Sequence, residues 1–198
     1  MPRNFDRDQE LRRKRTNEIL QNAVELFAKK GLEATRISDI AQKAGMSHGL
    51  VYNYFKSKEE IYASLIHINL SSFKEKLEAG TDSGKSPKEI LEEIVRNQDF
   101  ERCEGAEFHQ VFEEQLIYSD AVSAELKESL NKGYEEVIKL LTRIIELGIE
   151  RGEFIPGIAE YHAFYFLTIL QGSVSIKSRK MHNESYGINM LSYLLTHN

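Results

Sequence analysis

Cysteine is nearly missing from this chain of 198 residues, and its one example, Cys103, excludes an internal disulfide and any Cys-rich zinc site. With no His/Asn partner pattern around it, a small buried thiol is a better reading than a nucleophile. Proline occurs only at Pro2, Pro87 and Pro156, which leaves long stretches free to be helical. No apolar run approaches the roughly 20 residues needed to span a bilayer, and the charged start from Met1 to Asp6 lacks the apolar region of a signal peptide. A cytoplasmic protein without a membrane partner is expected. Neither period-2 strand patterns nor internal repeats are visible. Glu160-x-His162 and His182-x-Glu184 lack the i, i+4 spacing that sets two metal ligands on one helical face, and no glycine motif for cradling phosphate occurs. No metal, no cofactor and no enzymatic constellation is therefore expected.

What is present is an uneven distribution of charge. The net charge is −5, which taken alone argues against a nucleic-acid partner. Residues 1–58, however, hold 12 Lys and Arg against 7 Asp and Glu, a net of +5, whereas residues 59–198 hold 14 against 24, a net of −10. The basic excess coincides with the segment Ile37 to Lys58, ISDIAQKAGMSHGLVYNYFKSK, where neutralising phosphates would use it. Arg12, Arg13, Lys14 and Arg15 equally admit a plain solvated basic tail.

That segment has the pattern of a helix-turn-helix. Ile37, Ile40, Ala41 and Ala44 form the inner stripe of a short helix, Gly45 breaks it, and Met46, Val51, Tyr54 and Phe55 resume the stripe. The break needs a positive φ, which glycine adopts without a Cβ clash, and Ala41 is small enough for two helices to cross closely. Ser47 stands where the second helix needs an N-cap.

Around this unit the spacing predicts a loose arm over residues 1–10 and a helix from about Leu11 to Lys30 with Ile19, Ala23, Leu26 and Phe27 inward, stopped by Gly31. Thr35 is expected to cap the next helix, and the third runs from about His48 to Phe55. Ser57 and Glu60 form a capping box opening a fourth helix to about Leu77, Gly80 to Gly84 reads as a linker, and Ser86 with Glu89 forms a second box. A helix to about Glu101 follows. A long helix capped by Asp120 or Ser119 continues to Phe154–Gly157, and two more cover about Ala159–Lys180 and Tyr186–His197. The fold class is all-α: a small N-terminal unit holding the helix-turn-helix, joined by the fourth helix to a larger helical C-terminal unit. The expected division falls after residue 58: residues 1–58 hold the arm and the helix-turn-helix, and residues 59–198 form the second unit, whose role as a regulatory domain for ligand binding and dimerisation is what the family resemblance of residues 16–65 implies.

Residues 16–65, in TNEILQNAVELFAKKG, TRISDIAQKAG and SHGLVYNYFKSKEEIYASL, resemble the TetR/AcrR family of transcriptional regulators. The preceding helix, the Tyr-x-Tyr-Phe ending and the Lys-Glu after it make the match more specific than an isolated helix-turn-helix. In such a head the N-terminal residues of the second helix lie nearest the base edges, so His48, Gly49, Leu50 and Asn53 are the expected readers, with Asn53 able to make paired bonds to adenine. Gly49 lets the backbone approach closely. Leu50, usually small or polar at its position in the family, either meets a thymine methyl or packs on the neighbouring helix. Tyr52 and Lys58 match family phosphate contacts, and Thr35, Arg36 and Ser47 are weaker phosphate candidates.

For the C-terminal unit the resemblance implies a ligand pocket, and the aromatic content there suits an apolar or aromatic small-molecule effector; Phe100, Cys103, Phe108, Phe112, Tyr134 and Phe166 are the expected lining. It also implies a two-fold homodimer, consistent with the apolar terminal helices, in which Leu167, Gln171, Val174, Leu191 and Leu194 are the expected interface. The function so implied is a homodimeric repressor released from a double-stranded DNA operator by its ligand. The competing reading is an all-α protein-interaction module whose helix-turn-helix is packing only.

Overall fold

The computed structural model describes residues 5–96, 122–178 and 191–195, and within them every side chain except those of residues 5, 6, 28 and 173–178. The helices are α1 (Phe5–Ala34), α2 (Ile37–Lys43), α3 (His48–Tyr52), α4 (Lys58–Asp82), α5 (Pro87–Arg96), α6 (Ala124–Glu150) and α7 (Ala159–Ser178). Among the described residues the only extended pairing is an isolated antiparallel bridge between Phe154 and Leu195. No helix among them is long and apolar enough to cross a membrane. They divide into two compact units, one of residues 5–66 with 122–127 and one of residues 67–96, 128–178 and 191–195.

In the first unit α1 supplies the floor. Ile19, Leu20, Ala23 and Phe27 recur at helical spacing and are buried, together with Ile40 and Ala41 of α2, Val51 of α3 and Ile61, Tyr62 and Ile66 of α4. The ring of Phe27 meets that of Tyr62 edge-on, centroids 5.3 Å apart at 83°. Residues 5–10 of the expected loose arm are instead the first turns of α1. Gly31, at φ 78°, breaks that helix as anticipated, and the chain resumes helical hydrogen bonding as far as Ala34.

Gly45, at φ 64°, makes the turn between α2 and α3. The amide of Met46 donates to Ala41 O at 2.9 Å and that of Gly45 to Gln42 O at 3.2 Å, closing the end of α2. Ser47 caps α3 as expected, its hydroxyl accepting from Leu50 N at 3.2 Å. α3 ends at Tyr52, three residues before the expected Phe55. The Ser57 hydroxyl accepts from Glu60 N at 3.2 Å, but the Glu60 carboxylate reaches the amide of Lys56 rather than that of Ser57, at 2.5 Å.

The second unit is built on the inner stripes of α4, α5, α6 and α7, with Leu77, Leu91, Leu141, Ile145, Ala163 and Phe166 among its buried residues. The box opening α5 is reciprocal: Ser86 N donates to Glu89 at 2.8 Å and Glu89 N to the Ser86 hydroxyl at 3.2 Å. α4 continues through the expected linker as far as Asp82, and Gly84 takes the positive φ, 74°. The expected caps Ser119 and Asp120 lie outside the described residues; Ser123 accepts from Leu126 N at 3.3 Å at the start of α6. α6 ends at Glu150, earlier than Phe154–Gly157, because Gly152 at φ 74° turns the chain and the amides of Glu153 and Phe154 fold back onto Gly148 O at 2.9 and 3.2 Å. This turn seats the buried Phe154 against Gly148, where an added Cβ would stand 2.2 Å from the ring. Of the expected last helix, residues 191–195 form a turn closed by Leu194 N and Leu195 N on Leu191 O at 2.9 and 3.1 Å.

Candidate nucleic-acid interface

α2 and α3 are too short to persist alone; α3 packs on α2, and charged links hold α2 on α1. Lys30 Nζ lies 3.0 Å from Asp39 of α2, and Lys43 of α2 pairs with Glu25 of α1. The lysine partner holds each carboxyl below its usual range, chiefly by the side-chain hydrogen bond. A third link comes from α4: Lys58 Nζ donates to the carbonyls of Leu32 and Glu33 at 2.8 and 2.9 Å, filling acceptors left open where α1 ends. Lys58 thus has a structural task besides the expected phosphate contact. Two of its three donors are occupied, leaving one.

The expected reading residues share one open face. His48, Gly49, Tyr52 and Asn53 are exposed, whereas Val51 between them is buried. His48 and Tyr52, one turn apart, meet edge-on at 4.9 Å and 80°, so the imidazole braces the phenol that points away from the core. Leu50 is half-buried, a position that serves both of its expected roles. Ser47 and Arg36 are exposed beside this face, and Arg36 occupies the N-cap position of α2 with no side-chain cap.

Thr35 is a correction. It is 1% exposed, and its hydroxyl donates to Gly31 O at 2.7 Å instead of capping α2. A hydroxyl so enclosed has no access to a phosphate. Its work is to secure the break in α1.

Two residues outside the expected set complete the surroundings. Lys56 is exposed just after α3. Arg12 of α1 stands with its guanidinium carbon 5.3 Å from the centre of the Tyr54 ring. The clustered arginines were visible in sequence; the destination of any one of them was not.

Residues 19–65 match the family described as bacterial regulatory proteins, tetR family. Over 141 residues the chain is 30% identical to the fatty acid metabolism regulator protein of Bacillus subtilis (strain 168), covering 71% of each chain. The chain belongs to the tetR family of bacterial regulatory proteins. This tetR-family chain is also 32% identical over 144 residues to the transcriptional repressor KstR2 of Mycolicibacterium smegmatis, covering 72% of this chain and 68% of the relative. In fold it is similar to the crystal structure of the transcriptional regulator FadR from Bacillus subtilis in complex with stearoyl-CoA, with a TM-score of 0.72, 23% identity, and 90% and 97% of the two chains covered. As a tetR-family member it is a DNA-binding transcription regulator.

The regulator's other expected sites fall unevenly. Phe100, Cys103, Phe108 and Phe112 lie outside the described residues, as does the Val174 side chain. Tyr134 is half-buried on α6, and Phe166 is fully enclosed in the second unit's core. Within that unit a cleft of about 520 Å³ opens between α4 and α6, and its walls are polar, with His67, Lys74, Glu75, Ser129, Lys132 and Glu136 among them. Lys74 pairs with Glu136 across it at 2.8 Å. Leu191 and Leu194, expected at a subunit interface, are 2% and 0% exposed and belong to the chain's own core. A buried leucine and an interface leucine carry the same signature in sequence, and spacing alone does not separate them. Leu167 and Gln171 remain half-buried. The exposed apolar surface of α7 is made instead by Ile158 just before it and by Tyr161, Phe164, Tyr165 and Ile169, at 60%, 59%, 58%, 53% and 37% exposure.

Proposed function

We propose that the regulator is a homodimeric repressor that reads its operator through His48, Gly49, Leu50 and Asn53 and is released by an apolar effector of the fatty acyl thioester type. The observation that carries the DNA reading is the single open face of α3, on which His48, Gly49, Tyr52 and Asn53 are all exposed around the buried Val51. In this reading Tyr52, Arg36, Ser47 and the remaining donor of Lys58 position the head on phosphates, which carry no sequence information. Asn53 contributes paired bonds to a base edge. Residues 1–58 serve as the DNA-binding domain and residues 59–198 as the regulatory one. The effector class is supported by the names of similar proteins, a fatty acid metabolism regulator among relatives and a stearoyl-CoA complex among solved structures.

A dimer provides two heads, which engage successive major grooves when about 34–36 Å apart. The exposed stripe of Tyr161, Tyr165 and Ile169 on α7 is the surface best suited to a second copy. The chain acts where the DNA is, in the cytoplasm. Effector binding favours a state of the dimer whose heads no longer match the half-sites, which requires a coupling free energy of about 1–3 kcal/mol.

Selection of bound sequences from random duplexes, followed by competition, tests the assignment. Asn53→Ala is expected to change the preferred sequence, and an unaltered preference would remove Asn53 from the readers. Titration of acyl-CoA thioesters of graded chain length into the operator complex tests the switch. Saturating thioester that leaves operator affinity unchanged refutes the effector class. Sedimentation of Tyr165→Glu should show a monomer where the native chain shows a dimer; a native monomer at micromolar concentration refutes the assembly.

A further inference from the structure

We infer that Arg12 is an additional DNA contact, a phosphate-binding guanidinium supplied from α1, outside the helix-turn-helix, and held in place by the ring of Tyr54. The inference rests on the DNA-binding reading given above and extends it to a residue that the reading helix does not contain.

Lys30 and Lys43 are paired with Asp39 and Glu25, Arg15 lies 2.8 Å from Glu18, and Lys58 is bound to the carbonyls of Leu32 and Glu33. Except for Lys58, whose carbonyl partners are neutral, their charge is compensated by carboxylates inside the unit. Arg13 and Lys14 border a shallow depression on α1 that also holds Glu10 and Glu18. Arg12 differs from all of these. It is exposed, and the contact found for its guanidinium is with the π face of Tyr54, 5.3 Å from the ring centroid.

Stacking on an aromatic face has a specific chemical consequence. The ring quadrupole attracts the cation without taking a lone-pair hydrogen bond from it, so the N–H donors of the guanidinium stay available. Those donors match two oxygens of a phosphate, a geometry that an ammonium cannot reproduce. Tyr54 directly follows Tyr52 and Asn53, two exposed residues of the reading face. The stack therefore brings a long, flexible cation to the C-terminal margin of that face and restricts it before DNA arrives. Restriction in advance lowers the side-chain entropy lost on docking.

A phosphate contact is independent of base sequence, so the test needs no operator. The probe is a labelled random-sequence DNA duplex long enough for two successive major grooves, its binding followed by fluorescence anisotropy over a series of salt concentrations. Each phosphate neutralised contributes about 0.9 to the slope of log K against log salt. Arg12→Gln is expected to reduce that slope by about 0.9 for each head engaged and to weaken binding about eightfold per head at about 0.1 M salt, from the same counterion term. Arg12→Lys should keep the slope and recover only part of the affinity. Tyr54→Phe, which keeps the ring, should bind as the native chain does. Tyr54→Leu should weaken binding while Arg12 remains.

If Arg12→Gln binds with the native slope, the inference is overturned. A lowered melting temperature with an unchanged slope overturns it equally, because the pair would then be an internal clasp alone. A native chain with no salt-dependent DNA binding overturns the DNA reading itself, an outcome distinct from native binding that Arg12→Gln leaves intact.

Discussion

Gly49→Ala separates what the fold needs from what DNA needs at the centre of the reading face. A Cβ built on Gly49 meets nothing within 4 Å, and its φ lies outside the left-handed region. The chain itself therefore has no steric or conformational use for glycine there. In a five-residue helix the substitution should stabilise the protein by about 0.4–1 kcal/mol, mainly by narrowing the unfolded ensemble. For a chain of this size that is a rise in melting temperature of about 1–4 °C. The same methyl group stands on the exposed face that approaches the groove, where forcing extra volume into a close contact costs about 1–3 kcal/mol, or about five- to 150-fold in operator affinity. Differential scanning fluorimetry and an operator titration on one preparation give both quantities. Native operator affinity in the alanine variant would refute close backbone approach at Gly49. A fall in melting temperature would refute the claim that the space around it is open.

Further variants probe the supports. Lys58→Met keeps the aliphatic stem but strips a charged donor from the carbonyls of Leu32 and Glu33; a loss of about 1.5 kcal/mol is expected in urea unfolding. Unchanged stability with lost DNA binding would assign Lys58 to phosphate alone. Gly148→Ala forces the Phe154 ring to move from atoms 2.2 and 2.3 Å away and should cost about 1–3 kcal/mol, visible as an earlier melt; a native melting curve refutes that packing. Lys30 holds the Asp39 carboxyl below its usual range, so the link between α1 and α2 adds stability above the ordinary aspartate range and loses it as pH falls through the depressed value. Both partners are solvent-accessible, so the effect is small and screened by salt. An acid melt of Asp39→Asn compared with the native chain at low ionic strength measures it. Identical acid profiles would show that the link contributes nothing.

Features whose cause lies within a few residues were legible in the sequence. Ser47 caps α3, Gly45 and Gly31 take positive φ, and Ser86 with Glu89 closes its box because each arrangement depends on neighbours along the chain. Thr35 departs from its expected role because its hydroxyl can either accept from the amides that open α2 or donate to the carbonyls that end α1, and in its buried position it donates to Gly31 O. The capture of Lys58 by α1 spans 26 positions in sequence, and no local pattern encodes it. The Arg12–Tyr54 contact has the same character: a run of four basic residues is visible, but which one meets a ring far along the chain is set by tertiary packing. Leu191 and Leu194 were recognisably apolar, yet whether such residues face the same chain or another depends on packing that periodicity does not record.

The attachment of α4 to the end of α1 through Lys58 also bears on how the head opens. With seven and five residues, α2 and α3 have no independent stability; α2 packs on α1, α3 packs on α2, and Lys58 closes the end of α1 from the other side. Their amides should therefore exchange with solvent through the same opening event as those of α1, at one shared free energy. The regulator then has no partly melted reading helix to offer DNA. Its specificity is present whenever α1 is folded and disappears with it.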